Sequence, residues 1–496
     1  MAVVEHLEVE RKYDAAPTAT APSWAGQEAA APVGSILRAV YFDTADLRLL
    51  AQKITLRWRS GETSEGWHLK LPAHAGRVEL QVRARGADPD RTPDPARLPD
   101  ELAVRLRAWT AGRPLVPVAR LVTLREETEV SGAGTFCDDL VTATRFADGS
   151  TVVWREWEFE LCPDPDPELV RRADELILGS GARPARSDSK VARALGRGAG
   201  PARARRAPQT VAAFLAVRLG PMRTRLCAQD FPVRAYEHDS VHQLRVTTRA
   251  LRSLLQAFAP FLRKAPTKRL ADELRWLASE LGGARDAEVR AERFESLAAT
   301  KKHSELRAAA RALAAEEREA YRAAHQETVR ALDSRRYLHL LDALDAYVAD
   351  PPVRKANRRT GAGAALAEAV GGAADRLFLA DAALAEATDQ GEREEGLHEV
   401  RKRAKGLRYV GELAAEAGTG PFAWAEPVKQ LQDVLGEHQD AVVLRDWLRE
   451  RQRKEGSHAL QRGLDQLIAG ERARARKREA AYPAAMSAVT EAWASG

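Results

Sequence analysis

The chain changes its hydrophobic period once, near residue 200. Before that point apolar and polar residues alternate over short runs, the period-2 signature of half-buried strands. The pattern predicts strands over 3–13, 36–43, 53–60, 65–71, 76–84, 117–130, 135–146 and 151–161. Asp148-Gly149, between the last two, is a hairpin signal. Helical patterns fall near 99–110, 166–180 and 188–195. Beyond residue 208 the period is helical almost to the end, in a region rich in Ala, Leu and Arg. Breaks are expected at Pro260, Gly282-Gly283, Pro351-Pro352, Gly361–Gly363, Gly371-Gly372, Gly391 and Gly418–Pro421. The expected class is therefore α+β. An antiparallel sheet with peripheral helices over 1–197 is followed by a Gly-, Pro- and Arg-rich linker over 198–208 and an all-α region over 209–496.

The helical region repeats itself. His242-x-x-Arg245-x-x-x-Arg249-x-x-Arg252 recurs as His398-x-x-Arg401-x-x-x-Lys405-x-x-Arg408. Downstream, Leu277-x-x-x-Leu281-Gly282-x-x-x-Asp286-Ala287-x-Val289 recurs as Leu431-x-x-x-Leu435-Gly436-x-x-x-Asp440-Ala441-x-Val443. Two motifs returning in the same order imply two pseudo-symmetric helical bundles, about 209–350 and 362–496.

Charge sharpens the picture. Residues 1–200 hold 27 Lys+Arg against 30 Asp+Glu and the remainder 50 against 41, so the net +6 divides into −3 and +9. A basic second part points to a polyanionic partner. At ~100° per residue, His242, Arg245, Arg249 and Arg252 share one side of a helix and Leu244, Leu251, Leu254, Leu255 and Phe258 the other. A solvated face normally mixes signs at i±4. Here no acid occurs from His242 to Phe258, nor from Val400 to Gly411, so an external anion should neutralise the stripe. Arg285 with Asp286, and His438 with Asp440, are read equally as ligand contacts or as helix-pairing groups. Nucleic acid is the rival anion. The scarcity of aromatics near the stripes and the lack of a known nucleic-acid motif make it the weaker fit.

The first part carries charges on shared strand faces, since residues two apart project together. Glu8, Glu10 and Lys12 form one such set; Arg57 with Arg59, His68 with Lys70, Arg77 with Glu79, and Glu156, Glu158 and Glu160 form others. Aromatic residues on the reverse faces need cover, so a closed tunnel with a charged lumen is expected rather than a sheet with a wet face. Carboxylates there would suit Mg²⁺ or Mn²⁺ and the cations would suit phosphate oxygens.

These motifs carry two resemblances. Residues 206–496 resemble the CHAD domain through Val241-His242-Gln243-Leu244-Arg245 with Arg249 and Arg252, and His398-Glu399-Val400-Arg401-Lys402 with Lys405 and Arg408. That resemblance implies a channel for inorganic polyphosphate built by His242, Arg245, Arg249, Arg252, His398, Arg401, Lys402, Lys405 and Arg408. It also implies a possible association with polyphosphate granules. Residues 1–197 resemble the CYTH domain, the triphosphate tunnel fold. The match runs through Glu8-x-Glu10-x-Lys12, Tyr41-Phe42-Asp43-Thr44, Leu56-Arg57-Trp58-Arg59, Gly66-Trp67-His68-Leu69-Lys70, Asp138-Asp139, Trp154-Arg155-Glu156 and Ser189-Lys190. It implies a metal-dependent inorganic triphosphatase, with Glu8, Glu10 and Lys12 catalytic, and Glu8, Glu10, Glu158 and Glu160 as metal ligands. Arg57, Arg59, Lys70 and Arg120 would hold the triphosphate, with Arg125 and Lys190 as lesser candidates. The chain departs from that family at Thr135-Phe136-Cys137-Asp138-Asp139, where relatives often show Glu-Val-Ala-Asp-Asp, and at Gln81, where an arginine is usual. The alternative expectation is a polyphosphate-binding protein without catalysis.

Other readings follow from the totals. Cys137, Cys162 and Cys227 fit no zinc spacing and are expected to be buried thiols. No run approaches the ~18 apolar residues of a membrane span, and Met1–Glu8 lacks a signal-peptide pattern, so a cytoplasmic location without a membrane partner is expected. No Walker A loop, Rossmann glycine pattern or G-x-S-x-G elbow is present.

Overall fold

The computed structural model describes the chain except residues 1, 2, 25, 61–64, 74–75, 84–91, 188, 198–208, 301–303, 419–421 and 496. The linker expected at 198–208 therefore lies outside the described residues. The chain divides into two compact units, Met1–Arg205 and Arg206–Gly496.

Unit one is a curled antiparallel sheet of ten strands: β1 (Val3–Glu8), β2 (Glu10–Ala15), β3 (Val33–Asp43), β4 (Thr55–Ser60), β5 (Gly66–Pro72), β6 (Arg77–Arg83), β7 (Val116–Val130), β8 (Gly134–Arg145), β9 (Thr151–Leu161) and β10 (Arg183–Pro184). Four helices accompany it: α1 (Arg48–Ala51), α2 (Asp100–Thr110), α3 (Pro167–Gly179) and α4 (Lys190–Ala194). The strand order is β1-β6-β5-β4-β3-β7-β8-β9-β2-β10. The expected single strand over 3–13 is thus two strands that pair at opposite ends of the order, β1 with β6 and β2 with β9. Only Val9 separates them, so one residue ties the two sides of the sheet together and curls it into a tunnel. The Val9 carbonyl accepts from the Leu161 amide at 2.8 Å. Gly76 lies against this junction at φ 98°, where a Cβ would fall 2.3 Å from the Glu8 carbonyl oxygen, so only glycine fits.

Period-2 alternation sorts the side chains. Outward-facing Trp157 and Phe159 are buried under Val170, Ala173 and Ile177 of α3. Inward-facing Tyr41, Leu121 and Trp154 pack against Val191 and Ala194 of α4. The β8–β9 hairpin turns at Asp148-Gly149, with Gly149 at φ 68° and the Asp148 carboxylate accepting from the Ser150 amide at 3.0 Å.

Unit two is helical: α5 (Val211–Arg234), α6 (Ser240–Ala257), α7 (Lys264–Glu280), α8 (Gly282–Thr300), α9 (Ser304–Asp333), α10 (Arg335–Ala349), α11 (Ala362–Leu384), α12 (Gln390–Glu416), α13 (Ala425–Arg453) and α14 (His458–Ala494). Several expected breaks hold, at Pro351-Pro352, at Gly361 and at Leu281-Gly282. Gly371-Gly372 instead lies inside α11 and Gly391 inside the first turn of α12, since the helix cost of a single glycine is modest. The repeats differ in detail. Where the first breaks into α7 and α8, the second runs straight through Gly436 in α13. Nor are the halves separate bundles. Phe294, Leu306 and Leu313 of α8 and α9 share one apolar core with Leu444, Leu448, Leu464 and Leu467 of α13 and α14.

Candidate functional site

Unit one encloses a cavity of about 630 Å³. Glu8, Glu10, Lys12, Arg57, Arg59, His68, Lys70, Arg77, Glu79, Gln81, Arg125, Glu158, Glu160 and Lys190 all line it. Three groupings divide the charges. On one wall Glu79 accepts from His68 at 2.8 Å and from Arg57 at 3.3 Å, with Lys70 at 3.7 Å. Burial alone would raise its carboxyl, but these partners hold it well below the usual carboxylate range. On the opposite wall Asp139, Glu156 and Glu158 face Lys190 at 2.9, 3.0 and 2.7 Å. Arg125 grips Asp139 through two 2.7 Å bonds and reaches Glu158 at 2.7 Å. Lys12 also bonds Glu158 and lies 3.0 Å from Glu10. Burial works against its charge, yet Glu158 and Glu10 lift it above its ordinary value.

The third grouping is Glu8, Glu10 and Glu160, whose oxygens come within 4.8 Å of one another. Burial and the neighbouring Glu158 and Glu8 push the Glu160 carboxyl up, against the pull of Arg125. Cations do not fully compensate this group. Lys70 donates to Glu8 at 2.6 Å and Lys12 approaches Glu10, but Arg125 is 3.4 Å from Glu160 and already committed to Asp139. These are hard oxygen donors of the kind Mg²⁺ or Mn²⁺ takes. Glu158 lies in a second acidic group with Asp139 and Glu156, whose oxygens also come within 4.8 Å of one another and which Lys12, Lys190 and Arg125 face.

Arg59 stands apart among the arginines. It makes no ion pair among the described residues, and burial together with Arg57 and Arg125 pushes it down to about 10. An anion in the cavity would relieve that strain. Arg120 is not brought here. It lies five residues from Arg125 on β7, an odd separation that puts it on the outer face, where it donates to Thr92 at 2.8 Å. The acid pair at 138–139 splits the same way: Asp139 faces the lumen and Asp138 bonds Arg155 outside at 2.8 Å. Gln81 lines the cavity, and Arg83 is exposed.

In unit two the cation stripes of α6 and α12 face each other. Burial, Arg245, Arg401 and Arg285 push Arg249 below its ordinary value, so a guanidinium from one repeat feels one from the other. Burial, then Arg249, Arg401, Arg408 and Arg245, push Lys405 down to about 8. Arg245 Nη1, Arg249 Nε, His398 Nδ1 and Arg401 Nε are buried without a hydrogen-bond partner. Arg249, Arg252, Arg401 and Lys405 make no ion pair among the described residues. Two members are less available. Lys402 is exposed and pairs with Glu399, and Arg408 pairs with Glu412 at 3.2 Å. Arg285 is held by Glu288 at 2.7 Å, and His438 is buried.

The structure also explains the second repeated motif, whose role the sequence left open. A Cβ on Gly282 would sit 3.3 Å from Arg245 Nη1, and one on Gly436 3.8 Å from Arg401 Nε. Each glycine leaves room for the first arginine of its repeat against α8 or α13. Asp286, one turn on, lies 3.7 Å from Arg245, and Asp440 acts on Arg401 in the other repeat.

A CYTH domain model matches residues 6–193 and a CHAD domain model residues 218–449. Two proteins of Mycobacterium tuberculosis, Uncharacterized protein MT2285 and Uncharacterized protein Rv2226, are each 37% identical over 469 residues, covering 89% of this chain and 88% of their own length. The chain belongs to the CYTH–CHAD proteins. Solved structures similar to it include PptA from Streptomyces chartreusis, at 21% identity and TM-score 0.45 over 56% of this chain and 98% of that one. The CHAD domain from the plant Ricinus communis is similar at 23% identity and TM-score 0.46 over 58% and 95%. Both likenesses are distant and carry no residue role to this chain. The CYTH unit presents a charge-lined tunnel and the CHAD unit a shared cation surface. No described helix is long and apolar enough to cross a membrane.

Proposed function

We propose that the CHAD unit binds inorganic polyphosphate and that the CYTH unit hydrolyses inorganic triphosphate with Mg²⁺ or Mn²⁺. The observation that supports the first half best is the meeting of two cation stripes whose buried nitrogens lack partners. A chain of phosphates is dense in charge, offers oxygen acceptors along its whole length and asks for no stacking groups.

In the tunnel, Glu8, Glu10 and Glu160 would hold the divalent ion. When bound, it neutralises phosphate charge and lowers the pKa of a coordinated water. Arg57 and Arg59 would take the equatorial oxygens, and Lys12 and Lys70 would stabilise charge as it moves to the leaving group. Water attacks the terminal phosphorus, the bridging P–O bond breaks, and pyrophosphate and orthophosphate leave with release of a proton.

The second reading is a binding protein without catalysis. Thr135, paired in register with Glu160, favours it, because relatives often carry an acid there. Phosphate release from tripolyphosphate with Mg²⁺ or Mn²⁺ separates the two. Turnover that Glu10→Ala lowers on the order of 10²-fold supports catalysis. Turnover absent with both ions leaves the binding reading, and turnover indifferent to Glu10→Ala removes the assignment of the tunnel acids.

A further inference from the structure

We propose that Lys405 couples polyanion capture in the CHAD unit to proton uptake at alkaline pH, where its ammonium forms fully only when phosphate arrives. This rests on the polyphosphate reading and adds to it a means of regulation.

The placement carries the argument. Lys405 lies midway along the α12 stripe, half-buried, flanked by Arg401 and Arg408 on its own helix and faced by Arg245 and Arg249 of α6. It has no ion-pair partner among the described residues. The carboxylates around it are engaged elsewhere: Asp286 by Arg245 at 3.7 Å, Glu412 by Arg408 at 3.2 Å, and Glu399 by Lys402 and Arg403. Asp440 of α13 acts on Arg401, and Glu437 is held by Arg478 at 2.8 Å. On α11, Glu368, Asp375 and Arg376 are exposed and Asp381 is bonded by Tyr482. Arg218 of α5 is bound to Glu416. The other titrating groups nearby are His242 and His398, and burial, with Arg285, pushes His242 down.

Arginine keeps its charge at any attainable pH, whereas an amine can shed its own. In a crowd of guanidinium groups the lysine is therefore where the repulsion is relieved. Its value of about 8 makes that relief occur near neutrality. A bound phosphate chain reverses the local potential and restores the ammonium. Linkage then requires proton uptake on binding, most strongly above pH 8.

The test uses the full chain and polyphosphate of defined length, by calorimetry at pH 7, 8 and 9 in two buffers of different ionisation enthalpy. Wild type is expected to take up about half a proton per occupied site at pH 8, and to lose about tenfold affinity between pH 7 and 9. Lys405→Arg is expected to lose both effects. In parallel, limited acetylation of the free protein is read by mass spectrometry against pH. It should give Lys405 a midpoint near 8. Equal uptake in Lys405→Arg, binding without uptake, or an ordinary midpoint for Lys405 overturns the proposal. Absence of binding at pH 7 in both proteins overturns the polyphosphate reading, a different result from binding without uptake.

Discussion

Arg59 and Lys405 share one predicament, a buried cation with no carboxylate of its own. Residues of this kind cost stability and are kept where a ligand supplies the counter-charge. For Arg59, Arg59→Gln should raise KM for triphosphate and lower kcat/KM by about 10²-fold while leaving the fold intact, as steady-state phosphate release would show. Loss no greater than that of the outward-facing Arg120→Gln would remove Arg59 from the phosphate set. For Lys405, Lys405→Met should stabilise the ligand-free chain at pH 7 by about 1–2 kcal/mol once solvent screening is allowed for. The sign follows from its depressed value. The unfolded chain binds this proton more readily between pH 8 and 10.5, so the penalty is complete below pH 8 and fades as pH rises toward 10.5. Denaturant unfolding at pH 7 and pH 10 measures it, and a gain that does not shrink with pH would contradict the charge argument.

Secondary structure decides which of these residues could be read in advance. Strand parity placed Arg57 with Arg59 and Glu8 with Glu10 correctly on one face, because alternation is a property of the backbone. The same rule, applied between Arg120 and Arg125, sends Arg120 outside; its place among the phosphate ligands rests on the family resemblance alone. Lys190 sits on a short helix, and no periodicity tells which helix packs into a tunnel. Val9 reads as an ordinary strand residue, and only tertiary pairing shows it joining two distant strands. The repeated Leu-Gly-x-x-x-Asp motif was visible, but the space Gly282 and Gly436 leave for arginine was not. Helix glycines also make a contrast that can be measured. A Cβ on Gly463 would meet Ala309 Cβ at 2.5 Å and the Glu305 carbonyl oxygen at 3.0 Å, where α14 crosses α9. Nothing lies within 4 Å of one on Gly470, on the same helix. Gly463→Ala should therefore cost about 1–3 kcal/mol and Gly470→Ala should gain up to about 1 kcal/mol. Equal effects on the thermal midpoint would mean that the close crossing of α9 and α14 is not what Gly463 serves.

At the scale of the whole molecule, the two units pose the same electrostatic problem with opposite solutions. The tunnel holds acids and bases in near balance, so on the proposed reading it would accept a short anion only together with a cation. The facing stripes of the helical unit hold bases without matching acids, so on the proposed reading a polyanion would complete them. Triphosphate turnover should accordingly require added divalent ion, whereas polyphosphate retention should not. Salt should then separate the two. Capture by Arg245, Arg249, Arg252, Arg401, Lys405 and Arg408 displaces counter-ions from the chain, and the logarithm of affinity should fall with the logarithm of salt at a slope of about −4. Arg249→Ala should make that slope shallower by roughly 0.7 and leave phosphate release from triphosphate unchanged, while Glu10→Ala should do the reverse. Filter binding across a salt series, beside phosphate release on the same samples, reads both. A slope near zero would mean that the meeting stripes do not hold the chain by charge, and the pairing of α6 with α12 would then need a purely structural explanation.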